Sequence, residues 1–157
     1  MEKRTALHEH VESLIPELAQ WNNGNGISLR LWLDCIGRYD HAVAYAALFW
    51  PDFVLHDDCI FIDAPDAQNY ENWMRQCGGD RRQVEAVINH RHIVDLFTNS
   101  EFEPTKQLVI HVRRLLEDMW SCKLRREFPD RHFVVECYGD GSDDLLDYQI
   151  TVFQQRG

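Results

Sequence analysis

The stretch His132-Phe133-Val134-Val135-Glu136-Cys137-Tyr138 and its sequel Asp147-Tyr148-Gln149-Ile150-Thr151-Val152-Phe153-Gln154 decide the fold. Both are rich in β-branched and aromatic residues, and both alternate. Phe133, Val135 and Cys137 share one face of the first, and Tyr148, Ile150 and Val152 share one face of the second. Gly139-Asp140-Gly141-Ser142-Asp143-Asp144 lies between them, so an antiparallel hairpin is expected. One face should pack on helices while the other stays partly wet. A lone hairpin is marginal in water. This one must dock on helices or pair with Phe53-Val54-Leu55-His56-Asp57-Asp58-Cys59-Ile60-Phe61-Ile62, itself read as a short strand or small hairpin.

Upstream, helical spacing dominates. Leu7, Val11, Leu14, Ile15 and Leu18 predict a first helix, kinked near Pro16 because proline has no N–H to donate. Trp21-Asn22-Asn23-Gly24-Asn25-Gly26 reads as a loop. Ser28 should cap a helix carrying Leu29, Trp32, Leu33 and Ile36 and ending at Gly37. Asp40 should cap a third, which is almost wholly apolar from Ala42 to Trp50 and therefore expected to be central and buried. Asp66 should cap a fourth, with Tyr70, Trp73, Met74 and Cys77, stopped by Gly78-Gly79. Asp80 and Gln83 resemble a capping box opening a helix to about Phe97. The longest helix is expected at about 105–127, its core stripe traced by Leu108, Val112, Leu115, Met119 and Cys122. The expected fold is α+β: a helical body with a small antiparallel sheet that includes the C-terminal hairpin.

A chain of 157 residues suits one domain spanning 1–157, and 45% hydrophobic with 27% charged residues is a globular composition. The formal net charge of −10 repels phosphate backbones, so general nucleic-acid binding is not expected. No apolar run is long enough for a membrane span, and no signal-like stretch follows Met1-Glu2-Lys3-Arg4, so the expected location is the cytoplasm. Cys35, Cys59, Cys77, Cys122 and Cys137 are odd in number, widely spaced and without a C-x-x-C, which favours reduced, mostly buried thiols over a disulfide framework.

The sharpest chemical motif is Asn89-His90-Arg91-His92-Ile93-Val94-Asp95. On a strand, residues two apart point the same way, and both imidazoles could hold one metal. On a helix they diverge by about 200° and cannot. The expected helix 80–97 therefore separates them, leaving His92 beside Glu85, Asn89 and Asp95. His56, Asp57, Asp58 and His111 are the residues that other elements could add. Asp140-Gly141-Ser142-Asp143-Asp144 looks superficially like a calcium loop, but an EF-hand needs glycine at its sixth position and glutamate at its twelfth, where this chain has Leu145 and Thr151. The tryptophans Trp21, Trp32, Trp50, Trp73 and Trp120 read as core, with Trp21, next to the Asn/Gly loop, the one placed to join an interface. There is no Walker loop, G-x-G-x-x-G, G-x-S-x-G or H-E-x-x-H.

Trp21-Asn22-Asn23-Gly24-Asn25-Gly26-Ile27, Phe49-Trp50-Pro51-Asp52-Phe53, Asn89-His90-Arg91-His92-Ile93 and Glu127-Phe128-Pro129-Asp130-Arg131 resemble pieces of a small bacterial family of uncharacterised proteins. The resemblance implies a bacterial, cytosolic, single-domain protein and carries over no site residue.

Together these readings favour a non-enzymatic protein-binding domain, of inhibitor or immunity type, without a cofactor. Its acidic surface at Asp57, Asp58, Asp140, Asp143 and Asp144, with Trp21, would meet a basic protein partner. The alternative is a metal-dependent hydrolase using His90, His92 and Asp95 with His56, Asp57 or His111. A third reading is a homo-oligomer subunit.

Overall fold

The computed structural model describes residues 11–98, 100 and 102–156. The fold is α+β, with helices and two small antiparallel sheets. The chain divides at Tyr45/Ala46 into two units.

In the first unit, residues 11–13 are helical and Pro16–Gln20 forms a 3-10 turn. Pro16 thus opens a new turn instead of kinking a continuous helix, because its fixed φ suits a first helical position. Leu7 lies outside the described residues. The Ser28 side chain accepts from Leu31 N at the start of helix α1 (Leu29–Ile36), and the Gly37 N–H donates to Leu33 O at its end, both as expected. The Glu17 carboxylate accepts from the indole N–H of Trp21 (3.0 Å) and of Trp32 (3.2 Å). Helix α2 (Tyr39–Phe49), inside which the Tyr45/Ala46 division falls, starts one residue before the expected cap, and Asp40 instead pairs with Arg38 at 2.5 Å. It is not buried as its apolar run suggested: Val43 is 73% exposed.

In the second unit, β1 (Val54–His56) and β2 (Cys59–Phe61) form the small hairpin. Asp57 and Asp58 fill its two-residue turn at φ 50° and 61°, the left-handed pair that a type I′ turn requires. Asp66 caps α3 (Ala67–Gln76) and Asp80 caps α4 (Arg81–Ile88).

The expected helix to Phe97 ends at Ile88. Strand β3 (Arg91–His92) follows, then a 3-10 turn, Ile93–Phe97. The cause is Asn89, which is 1% exposed. Its Oδ1 accepts from Ile62 N (3.0 Å), and its Nδ2 donates to Ile60 O (2.8 Å) and Val152 O (2.9 Å). Those bonds tie the helix end to β2 and to the backbone at Val152, and turn the chain into the sheet.

Thr105 caps α5 (Lys106–Glu127), whose bounds match expectation. Its buried stripe runs one residue later than expected, through Val109, Arg113, Leu116, Trp120, Lys123 and Leu124, while Leu115 and Cys122 are exposed. Arg113 and Lys123 sit at core positions because long apolar stems pack inward while the cations find partners. The expected hairpin is β4 (Phe133–Tyr138) with β5 (Gln149–Gln154), and β5 is the middle strand of the order β3-β5-β4. The third strand thus comes from Arg91–His92, while residues 54–61 pair with themselves. Ile150, Val152 and Tyr148 pack on Leu116, Trp120 and Leu124 of α5, and Cys59, Phe61, Tyr70 and Val84 form a second cluster. All five cysteines are free, but Cys59 alone is buried; Cys35 and Cys122 are exposed, so the expected mostly buried set is corrected. Among the described residues, no helix is long and apolar enough to cross a membrane.

Candidate functional site

Alternation along β5 turns Ile150 and Val152 into the core and puts Gln149 and Thr151 on the opposite sheet face. The register extends that face sideways. Gln149 stands between His92 on β3 and Tyr138 on β4, and Thr151 stands opposite Glu136. Helix α4 covers the far end, where the Thr151 hydroxyl donates to Ala86 O (2.6 Å) and Arg82 stacks on the Phe153 ring. Beyond the helix lies an open cleft of about 320 Å³ lined by Ala86, Val87, His90, Tyr138, Gln149 and Thr151.

The hydrogen bonds in this face fix two tautomers. Gln149 Nε2 donates to Leu146 O (3.1 Å), which turns Oε1 toward His90 Nε2 (2.8 Å). An amide oxygen only accepts, so in the neutral ring His90 carries its proton on Nε2. His92 Nδ1 lies 2.8 Å from the same Leu146 carbonyl and likewise carries the proton. The two rings meet edge to face with centroids 4.8 Å apart. Next to them the Tyr138 hydroxyl donates to Glu136 Oε2 (2.6 Å). That carboxylate, with some burial, pushes the phenol up to about 12.

The other metal-ligand candidates lie elsewhere. His56 packs edge-on against Tyr70 at 4.9 Å, and the Asp57 carboxylate accepts from the Tyr70 hydroxyl (2.9 Å). Burial and that carboxylate raise the Tyr70 pKa. Asp95 is exposed on the 3-10 turn, and His111 is on α5. Among the described residues, no three His, Cys, Asp or Glu side chains are grouped to hold a metal ion. His90 and His92 do come together, on either side of Arg91 where the chain leaves α4 and enters β3.

The acidic candidates fall into two sets at opposite ends of the β4–β5 ladder, roughly 17 Å apart for six-residue strands. At the Gln154 end, Asp58 pairs with Arg131 (2.6 Å) and Arg156 (4.0 Å), and Asp57 with Arg81 (3.8 Å). The Arg131 guanidinium holds the Asp58 pKa below the usual carboxylate range. Here Glu85, fully buried, accepts from Ile60 N, Gln154 N and the Arg156 guanidinium at 2.8–2.9 Å.

At the Tyr138 end, Arg113 rises from the core to donate to Tyr138 O and to Asp140 (2.5 Å), lowering the Asp140 pKa. Lys106 pairs with Asp143 (3.1 Å). Asp144 caps the 3-10 turn Leu145–Asp147, and Ser142 Oγ donates to Asp147. Gly139, at φ +92°, has no room for a Cβ, which would stand 2.4 Å from Asp147 O. Trp21 is half-buried in the first unit, its N–H held by Glu17.

Glu136, Tyr138, Gln149 and Thr151 escaped the sequence reading as site residues. The signal was present, since they occupy the strand positions opposite the apolar set. Glu85 and Asn89 gave no such sign, because a polar residue on a helix is ordinarily solvated.

The fold and this polar sheet face define a small α+β protein with an acidic loop beside a histidine-lined cleft. No family model, curated protein or solved structure matches the chain.

Proposed function

We propose that the chain is a non-enzymatic protein-binding domain, of inhibitor or immunity type, that takes a basic protein partner in the cytoplasm. The observation that carries this reading is the loop Gly139–Tyr148. It holds Asp140, Asp143, Asp144 and Asp147 and no basic residue. Its conformation is pinned by Arg113, Lys106, Ser142 and the Tyr148 hydroxyl donating to Ser142 O (3.0 Å), yet the Asp140 and Asp143 side chains remain 82% and 104% exposed. A pre-ordered loop loses little entropy on docking, and an acidic one steers a basic partner toward itself. Asp57 and Asp58, at the other end of the ladder and engaged with arginines, serve the fold in this reading.

The test is affinity capture from cell extract at low and high salt, with the wild type and an Asp143→Asn/Asp144→Asn variant. A basic protein should be retained at low salt, released at high salt and missed by the variant. Equal capture by wild type and variant, or none at either salt, refutes the proposal.

A further inference from the structure

A second feature, independent of the acidic loop, is the histidine pair. The geometry points to a divalent transition-metal site formed by His90 and His92, an open site completed by water, suited to an imidazole-seeking ion such as Ni²⁺, Cu²⁺ or Zn²⁺. Three observations carry it. First, His92 stands opposite Gln149 in the sheet, and His90, just before β3, hydrogen-bonds the side chain of that same Gln149, so the two rings gather at one strand end with centroids 4.8 Å apart. Two imidazoles bound to one ion at ordinary metal–nitrogen distances of about 2.0–2.1 Å place their centroids roughly 4.5–5 Å apart.

Second, each ring donates its proton to a carbonyl oxygen, His90 through Nε2 to Gln149 and His92 through Nδ1 to Leu146. That leaves Nδ1 of His90 and Nε2 of His92 as the basic nitrogens. A metal-ligating histidine is held in this way, by a carbonyl or carboxylate on its other nitrogen. Third, the two acceptors are one unit. Gln149 donates to the same Leu146 carbonyl that receives His92, so both rings are oriented by a single strand end and its neighbouring turn. His90 also borders the 320 Å³ cleft, which leaves space for the exogenous ligands that two protein donors require.

The experiment is calorimetric titration of the untagged full chain with Ni²⁺ alone. One saturable site is expected. His90→Gln and His92→Gln should each abolish it, since a chelate needs both rings. Gln149→Ala keeps both rings but removes the acceptor that holds His90, and should weaken binding by about 10–100-fold. The chain has another His-x-His at His8-Glu9-His10, so a His8→Ala/His10→Ala variant must bind as the wild type does. Circular dichroism checks each variant, and if a histidine variant fails to fold, Gln149→Ala and the His8/His10 variant decide. Absence of saturable uptake by the wild type overturns the site. So does uptake that survives in a folded His90 or His92 variant, uptake unchanged by Gln149→Ala, or uptake lost with His8 and His10.

Discussion

Replacing Asn89 by alanine probes the joint between α4, the β1–β2 hairpin and β5. The side chain is 1% exposed and makes three hydrogen bonds of 2.8–3.0 Å to the backbone of Ile60, Ile62 and Val152. Alanine removes all three and admits no replacement donor or acceptor. The amide of Ile62 loses its partner, and two carbonyls each lose one. A buried group left unsatisfied costs about 1–3 kcal/mol. Carbonyls keep a second lone pair, so the sum falls below three full penalties, at roughly 3–5 kcal/mol. With a urea m-value of about 2 kcal/mol/M, the midpoint should fall by about 2 M. The assay is urea unfolding followed by fluorescence and circular dichroism. Gln76→Ala, at an exposed position of α3, is the control and should change stability by less than about 0.5 kcal/mol. A loss below about 1 kcal/mol for Asn89→Ala would refute the reasoning, since it would mean the three backbone groups do not depend on this side chain.

Three further outcomes are expected. Glu85→Gln leaves the Arg156 guanidinium without its buried counter-charge and should cost about 2–4 kcal/mol, read by thermal melting; Arg156→Ala should cost a similar amount. Asp58 and Asp140 have folded pKa values below their unfolded ones, so the stability they add is full above about pH 5 and is lost as pH falls through the folded values. An Asp58→Asn/Asp140→Asn variant should therefore show a shallower loss of stability on acidification, measured by urea midpoints across that range. Glu136→Gln removes the carboxylate that raises Tyr138, and phenolate absorbance should then show that tyrosine titrating nearer its ordinary value of about 10.

The C-terminal hairpin was legible because its alternation is strict and both apolar faces reached the core. Caps at Ser28, Asp66 and Asp80 were legible because each side chain has one local task. The long helix was placed correctly, yet its buried face was read one residue early. Periodicity counts Arg113 and Lys123 as outward, and nothing local reveals that a long stem is packed and its cation bound by a distant carboxylate. The turn into β3 was hidden for a similar reason. Asn89 is locally a tolerable helix residue, and the groups that end the helix there, Ile60, Ile62 and Val152, are remote in sequence. That error also separated His90 from His92, so the pair was named from the motif but its proximity came only with the backbone. The acidic residues were visible as composition; their division between two ends of the ladder was not.

The strand order has a consequence for how the chain acquires this form during synthesis. The central position of the three-stranded sheet is held by residues 149–154, whereas its flanks are made earlier, at 91–92 and 133–138. While the ribosome is still making the loop after Tyr138, both flanks wait with unsatisfied edges, and α5 has no sheet to cover. The sheet therefore closes only once the later-made segment enters between two earlier ones, a pattern of distant pairing that slows folding.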